Sequence, residues 1–224
     1  MPHQPSSSKG NRFPSRGRSR TSRSPTRSPS PSSLHHASHV KVVDLVDYGS
    51  GAGFRVMAER KKHPHSTIVA VDRGYSDKNI VRSPVDILEK MGIEVHALSF
   101  RAHLQKMVRE NTRTKSLMID MLQRHFSPHE GVAQTRRRDI AFRNQVRTIV
   151  DYLPHVLVPG GFFHVISENA NWLEEIAVYA KGRKLAVYPI RKVRAAEIVG
   201  AGQDVQDYWK KGTPLFSLIL VNPA

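Results

Sequence analysis

The sequence predicts an open, doubly wound α/β sheet, mostly parallel and about seven strands wide, on three observations. From Val42 onward short apolar runs alternate with amphipathic stretches, the pattern of repeated strand–helix units. A glycine-rich segment, Gly49-Ser50-Gly51-Ala52-Gly53, falls where the first strand gives way to the first helix. An aspartate, Asp72, closes the second strand about 20 residues further on, the distance at which a dinucleotide-type fold places its ribose-binding carboxylate.

The strands read in order as Val42–Asp47, Thr67–Asp72, Glu94–Leu98, Ser116–Asp120 and Phe162–Ile166, with two more at Leu185–Ile190 and Leu215–Val221. Between them lie helices over Phe54–Lys62, Pro84–Met91, Ala102–Glu110, Asp139–Val156 and Trp172–Lys181. Ser83 before Pro84 and Asn171 before Trp172 are side chains that can cap a helix N-terminus. In the long helix Phe142, Val146, Ile149, Val150, Leu153 and Leu157 recur at helical spacing and form one apolar stripe, while Arg136, Arg143 and Arg147 fall on another face. Pro159-Gly160-Gly161 is expected to stop that helix and turn the chain into the next strand. Asp44 is a charge inside a strand that should be buried, and the pattern assigns it no role.

Residues 1–39 have a different composition, dominated by Ser, Arg and Pro, with serine–proline and arginine–serine pairs from Ser15 to Ser33. Such a segment has too little apolar surface to offset chain entropy, so it is read as a disordered tail preceding a single domain over residues 40–224. The tail carries seven basic side chains and no acid, and the remaining 28 basic and 19 acidic residues leave +9 on the rest of a chain whose formal charge is +16. A polyanionic partner is expected from that balance, which does not name it. His35, His36 and His39 at the boundary read as a polar linker. The absence of cysteine excludes disulfides, thiolate metal sites and cysteine nucleophiles. No apolar run approaches the roughly 20 residues that span a bilayer, so no membrane role is expected and the chain is read as an intracellular protein of the cytoplasm or nucleus.

The glycine segment carries the chemistry. A loop that turns sharply from strand to helix while letting a ligand approach its backbone needs residues without a Cβ. The helix that follows presents free amide groups. A dinucleotide site would have the spacing Gly-x-Gly-x-x-Gly, whereas here the third glycine comes one residue early and Phe54 takes the last place. With Asp47 two residues ahead, the stretch instead resembles the first motif of class I S-adenosylmethionine-dependent methyltransferases, an acid–x–Gly–x–Gly–x–Gly loop. Met57-Ala58, His63-Pro64 and Leu157-Val158-Pro159-Gly160-Gly161-Phe162 resemble later parts of that family in the same order. The resemblance implies a Rossmann-like sheet with an antiparallel last strand, S-adenosylmethionine as cofactor, and cofactor contacts from Asp47, Gly49, Ser50, Gly51, Gly53 and Asp72. Ser99 stands where many members carry an acid near the adenine. No Asn-Pro-Pro-Tyr or Asp-Pro-Pro-Tyr stretch follows the fourth strand, which argues against methylation of an adenine amino group.

The second half is similar in part to the tRNA guanine-N7 methyltransferases. Arg136-Arg137-Arg138, the helix through Arg143 and Arg147, and Asp207–Leu215 correspond to its basic stretch, helix and terminal element, and would meet RNA. That family's Pro-Asp-Pro-Trp-type motif is replaced by Met121-Leu122-Gln123-Arg124-His125-Phe126. Asp120, at the carboxyl end of the fourth strand and so at the rim where open α/β sheets bind ligands, is the candidate to orient a methyl acceptor, with His125 as a second. The alternatives are a methyltransferase of a small metabolite or protein side chain, and a non-catalytic RNA-binding protein with a degenerate cofactor fold.

Overall fold

The computed structural model describes residues 39–76, 84–120, 132–198 and 203–223. The first strand, β1 (Lys41–Tyr48), leads through the glycine segment into α1 (Phe54–Lys62), β2 (Ile68–Val71), a 3₁₀ turn (Arg73–Ser76), α2 (Val85–Lys90) and β3 (Glu94–His96). Helix α3 (Phe100–Arg109) then carries the chain back across β1 to β4 (Thr112–Asp120), and α4 (Val132–Val156) leads into β5 (Leu157–Ser167). The remainder is α5 (Ala170–Lys181), β6 (Ala186–Val187), β7 (Arg191–Lys192), α6 (Ala195–Ile198), α7 (Gln203–Lys210) and β8 (Phe216–Val221).

The strand order is β3-β2-β1-β4-β5-β8-β6, with β7 also on β8. Strands β1 to β5 pair in parallel and β8 runs antiparallel to β5, so the last strand has the predicted direction. Among the described residues eight strands are found where seven are predicted. Both β6 and β7 pair with β8, and the residues between them include Pro189, which has no N–H to donate and interrupts what the sequence reads as one strand. Sequential strands move outward from β1 in both directions, so the order reverses between β1 and β4, the position at which open α/β sheets bind ligands.

Two apolar cores, one on each face, hold this sheet. The larger joins Val46, Tyr48, Leu117 and Phe163 to Leu104 of α3, Val146, Ile149, Val150 and Leu153 of α4, and Leu173 and Ile176 of α5. The smaller joins Leu45, Ile68 and Ala70 to Val56 of α1 and Leu88 of α2. All four residues of β2 are buried, as a central parallel strand covered on both faces requires. The predicted α4 stripe is buried from Val146 to Leu157, and Phe142 lies among the side chains outside the described set.

Asp44 now has a physical account. Its carboxylate accepts the Thr67 N–H at 2.7 Å and pairs with Lys115 at 2.7 Å, so it caps the start of β2 at the sheet's amino end, and those two partners hold its pKa below the usual carboxylate range. Several boundaries move for similar local reasons. Asn169, not Asn171, caps α5 by accepting from the Trp172 N–H at 3.3 Å. Ser99 caps α3, which starts two residues before the predicted Ala102, by accepting from the Ala102 N–H at 3.3 Å. Ser83 lies outside the described residues. Helix α4 ends at Val156 and β5 begins at once, so Pro159-Gly160-Gly161 forms an irregularity inside the strand and not a turn before it. Gly161 is needed there, since a Cβ would stand 2.9–3.1 Å from three backbone carbonyl oxygens. No described helix is long and apolar enough to cross a membrane.

Candidate functional site

The carboxyl ends of β1 and β2 meet in a hydrogen-bonded loop. Gly49 donates its N–H to Val71 at 2.8 Å and Gly53 to Ser50 at 2.8 Å, and the Ser50 hydroxyl donates to the Asp47 carbonyl at 2.7 Å. Gly49, Gly51 and Gly53 all have positive φ, where other residues are strained. Gly53 is the most constrained, with φ of 77° and space so tight that a Cβ would lie 2.7 Å from Leu88. It delivers the chain into α1, whose first amides have no intrahelical acceptor and open toward the loop.

Asp72 ends β2 and is tied to this loop. One carboxylate oxygen accepts the Gly51 N–H at 2.9 Å and the other accepts the Gly74 N–H at 2.7 Å. Each oxygen therefore retains acceptor capacity, because a carboxylate offers about four lone-pair positions. Beside it opens a cleft of about 620 Å³. Gly49, Asp72, Ser99 and Phe100 line one side, and Asn144, Gln145, Thr148 and Ile149 of α4 the other. Behind Phe100 the Tyr48 ring stands 5.0 Å away, and its hydroxyl lies 3.1 Å from His103 Nδ1. Burial drives the His103 pKa down to about 3, so the imidazole that shares this hydrogen bond with Tyr48 is neutral.

The cleft brings together Gly49, Asp72 and Ser99 of the predicted cofactor residues. Asp47 lies elsewhere. Its carboxylate is 4% exposed and faces Arg55 of α1 at 3.5 Å, and the same guanidinium meets both oxygens of Asp120 at 2.5 and 2.6 Å. Asp47 and Asp120 stand at the ends of adjacent parallel strands, and Arg55 bridges them across the smaller core. Burial pushes the Asp47 pKa up to about 7 against the pull of Arg55, with the Asp120 charge adding to the rise. Asp120 is thus held by Arg55 at the strand rim, and its side chain retains 20% exposure. His164 of β5 is buried nearby, with burial lowering its pKa to about 4. Beyond it Arg191 forms a two-point pair with Glu197 at 2.6 Å.

Arg55 is the residue that reading the sequence missed. Arg55 is the lone cation in the first turn of the adjoining helix, but the two aspartates that it meets become neighbours only through the pairing of β1 with β4. His125 lies outside the described residues. Arg143 pairs with Glu175 at 3.0 Å and stacks 5.9 Å from the Trp172 ring centre, and Arg147 lies 5.6 Å from that of Tyr179, so both contribute to the seam between α4 and α5. Arg136, Arg137 and Arg138 belong to the α4 backbone, and their side chains lie outside the described set.

No family model and no curated protein matches the sequence. Solved structures do match its fold. The 16S rRNA methyltransferase KamB superposes with a TM-score of 0.52 at 12% identity, covering 84% of this chain and 90% of its own. A precorrin-6y C5,15-methyltransferase from Geobacter metallireducens GS-15 gives 0.50 at 11% identity, over 81% of this chain and 80% of its own. A putative methyltransferase complexed with SAH gives 0.50 at 8% identity, over 83% of this chain and 46% of its own. At these identities the likeness is one of fold: the chain has the class I methyltransferase architecture.

Proposed function

We propose that this chain is an S-adenosylmethionine-dependent methyltransferase acting on RNA. The observation that carries the cofactor reading is the junction of Gly51 and Asp72 at the mouth of the cleft. An acidic side chain at the end of β2, held by backbone amides and still able to accept, suits the two vicinal hydroxyls of a ribose. The neighbouring glycines leave room for the remainder of the cofactor against the loop. The matched SAH complex is consistent with such a ligand in this architecture. Gly49, Asp72 and Ser99 would touch the cofactor, while Asp47 would act from behind the loop through Arg55.

Methyl transfer from a sulfonium is an in-line displacement, in which alignment supplies much of the acceleration. Asp120 and the Arg55 that holds it lie on the rim next to the loop, and this reading gives Asp120 the task of orienting the acceptor. The solved structures with this fold include a 16S rRNA methyltransferase and a precorrin-6y C5,15-methyltransferase, so the fold alone does not choose the acceptor. RNA is preferred on charge: +9 over residues 40–224, which include Arg136–Arg138, and +7 on residues 1–39. A guanine N7 acceptor, as the sequence resemblance implies, has no proton to lose and needs no general base.

Calorimetry with S-adenosylmethionine and with NAD tests the cofactor: binding of the first and not the second is expected, and the reverse would sink the reading. Transfer of a radiolabelled methyl group into total RNA, compared with protein and small-molecule extracts, tests the acceptor. Label in protein or metabolites alone would replace RNA by those substrates, and cofactor binding without any transfer would leave a binding protein.

A further inference from the structure

Two arginines line the cleft on the β2–β3 side. Arg73 follows Asp72 directly and Arg101 is the second residue of α3; both are exposed and both line the cleft. Among the described residues neither guanidinium has a carboxylate partner, in contrast to Arg55, Arg143, Arg183 and Arg191. Asp72 lines the same cleft, and its carboxylate accepts the Gly51 and Gly74 amides with no ion pair to either arginine. From Arg73 an open groove continues outward over Gly74, Ser76 and Ala97–Ser99, and none of these described lining residues is acidic.

We infer that Arg73 and Arg101 form a phosphate-binding lip, over which a single-stranded stretch of an RNA acceptor passes along this groove. The inference rests on the methyltransferase reading for what fills the inner cleft. That reading also makes the arginines unexpected. S-adenosylmethionine has a zwitterionic amino-acid end and a positive sulfonium, so it carries a net positive charge that two guanidinium groups do not favour. The anion they match therefore comes from another ligand. A lip of two exposed, planar, five-donor groups on the cleft, with Arg73 also at the head of the groove, suits phosphodiester oxygens, which accept such forks in bidentate fashion. The open groove admits a chain of nucleotides, each bringing one charge.

The test uses the full chain, the double variant Arg73→Gln/Arg101→Gln, and Arg109→Gln as control. Arg109 is exposed on α3 eight residues beyond Arg101, about 12 Å along the helix. A fluorescein-labelled unstructured RNA oligonucleotide is titrated by anisotropy over a series of salt concentrations, and the same proteins are titrated with S-adenosylmethionine. The double variant is expected to lose roughly tenfold or more in RNA affinity and about 1.4 in the slope of log affinity against log salt, about 0.7 for each phosphate contact. Its cofactor affinity should be unchanged or tighter, and Arg109→Gln should bind RNA as the parent does. Unchanged RNA binding by the double variant, an equal loss from Arg109→Gln, or equal competition by polyglutamate would overturn the lip. So would weakened cofactor binding with RNA binding intact. If the parent chain binds RNA with the expected pattern and fails to bind the cofactor, the lip stands and the methyltransferase reading falls.

Discussion

Asp72 and Asp120 both sit at the carboxyl end of a parallel strand, and their surroundings prepare them for different work. Asp72 is held by two backbone N–H groups beside an open cleft, so its charge stays available to a ligand. Asp120 gives both oxygens to Arg55, which also faces the buried Asp47. A carboxylate fixed by amides remains an acceptor, whereas one whose two oxygens both meet a guanidinium nitrogen is first a structural tie. The difference separates a ligand side of the strand rim from a braced side.

The strongest way to break this contrast is to remove the brace. Arg55→Met leaves two carboxylates without their cation beneath α1, and losing one partner of a buried ion pair costs about 3–5 kcal/mol. Urea unfolding should record a loss of that size. A loss below about 1 kcal/mol, the range of exposed pairs, would mean that the bridge carries no weight in solution.

The pH dependence sharpens the same side. Burial raises the Asp47 pKa in the folded chain from 3.8 to about 7. The folded state therefore holds a proton that the unfolded state releases, and this contribution to stability is full below about pH 4 and is lost as pH rises through 7. Asp47→Asn removes the titration. The stability difference between parent and variant should accordingly shift in favour of the variant from pH 5 to pH 8, measured by unfolding at both. A constant difference would place the Asp47 proton elsewhere.

Asp72→Ala probes the ligand side, where the effect should fall on affinity. A hydrogen bond to a charged group contributes roughly 1.5–3 kcal/mol, so S-adenosylmethionine should bind at least tenfold more weakly by calorimetry. Asp72→Asn, with one acceptor oxygen retained, should fall between. Affinity equal to that of the parent in both variants would remove the ribose contact from Asp72.

How much of this could be read beforehand follows from how local each feature is. The glycine loop and Asp72 are legible because a turn needing positive φ and a strand-end acid leave their mark within about 20 residues. The bridge from Arg55 to Asp120 joins positions 65 apart, and only the parallel pairing of β1 with β4 brings them together. The far wall of the cleft was hidden for another reason. Asn144, Gln145 and Thr148 look like the solvent face of a helix until α4 is laid across the glycine loop. Asp44 read as an anomaly because its partners, Thr67 and Lys115, come from two other segments.

Ser99 stands between the two behaviours and supports the smallest prediction. It lines the cleft, yet its hydroxyl accepts the Ala102 N–H as the cap of α3. Removing such a cap costs about 1 kcal/mol, so Ser99→Ala should lower unfolding stability by that amount. If capping is its main task, cofactor affinity should change less than about twofold, well under the loss from a charged contact. Ser99→Asp tests the other possibility, because aspartate caps as well as serine does and also restores an acid where the resembling family carries one. That variant should retain parent stability and bind S-adenosylmethionine a few-fold more tightly. Tighter binding with stability retained would assign the Ser99 position to the adenine side of the cleft. Unchanged binding would leave Ser99 as a cap, and the adenine contacts would then fall to Phe100 and the α4 wall.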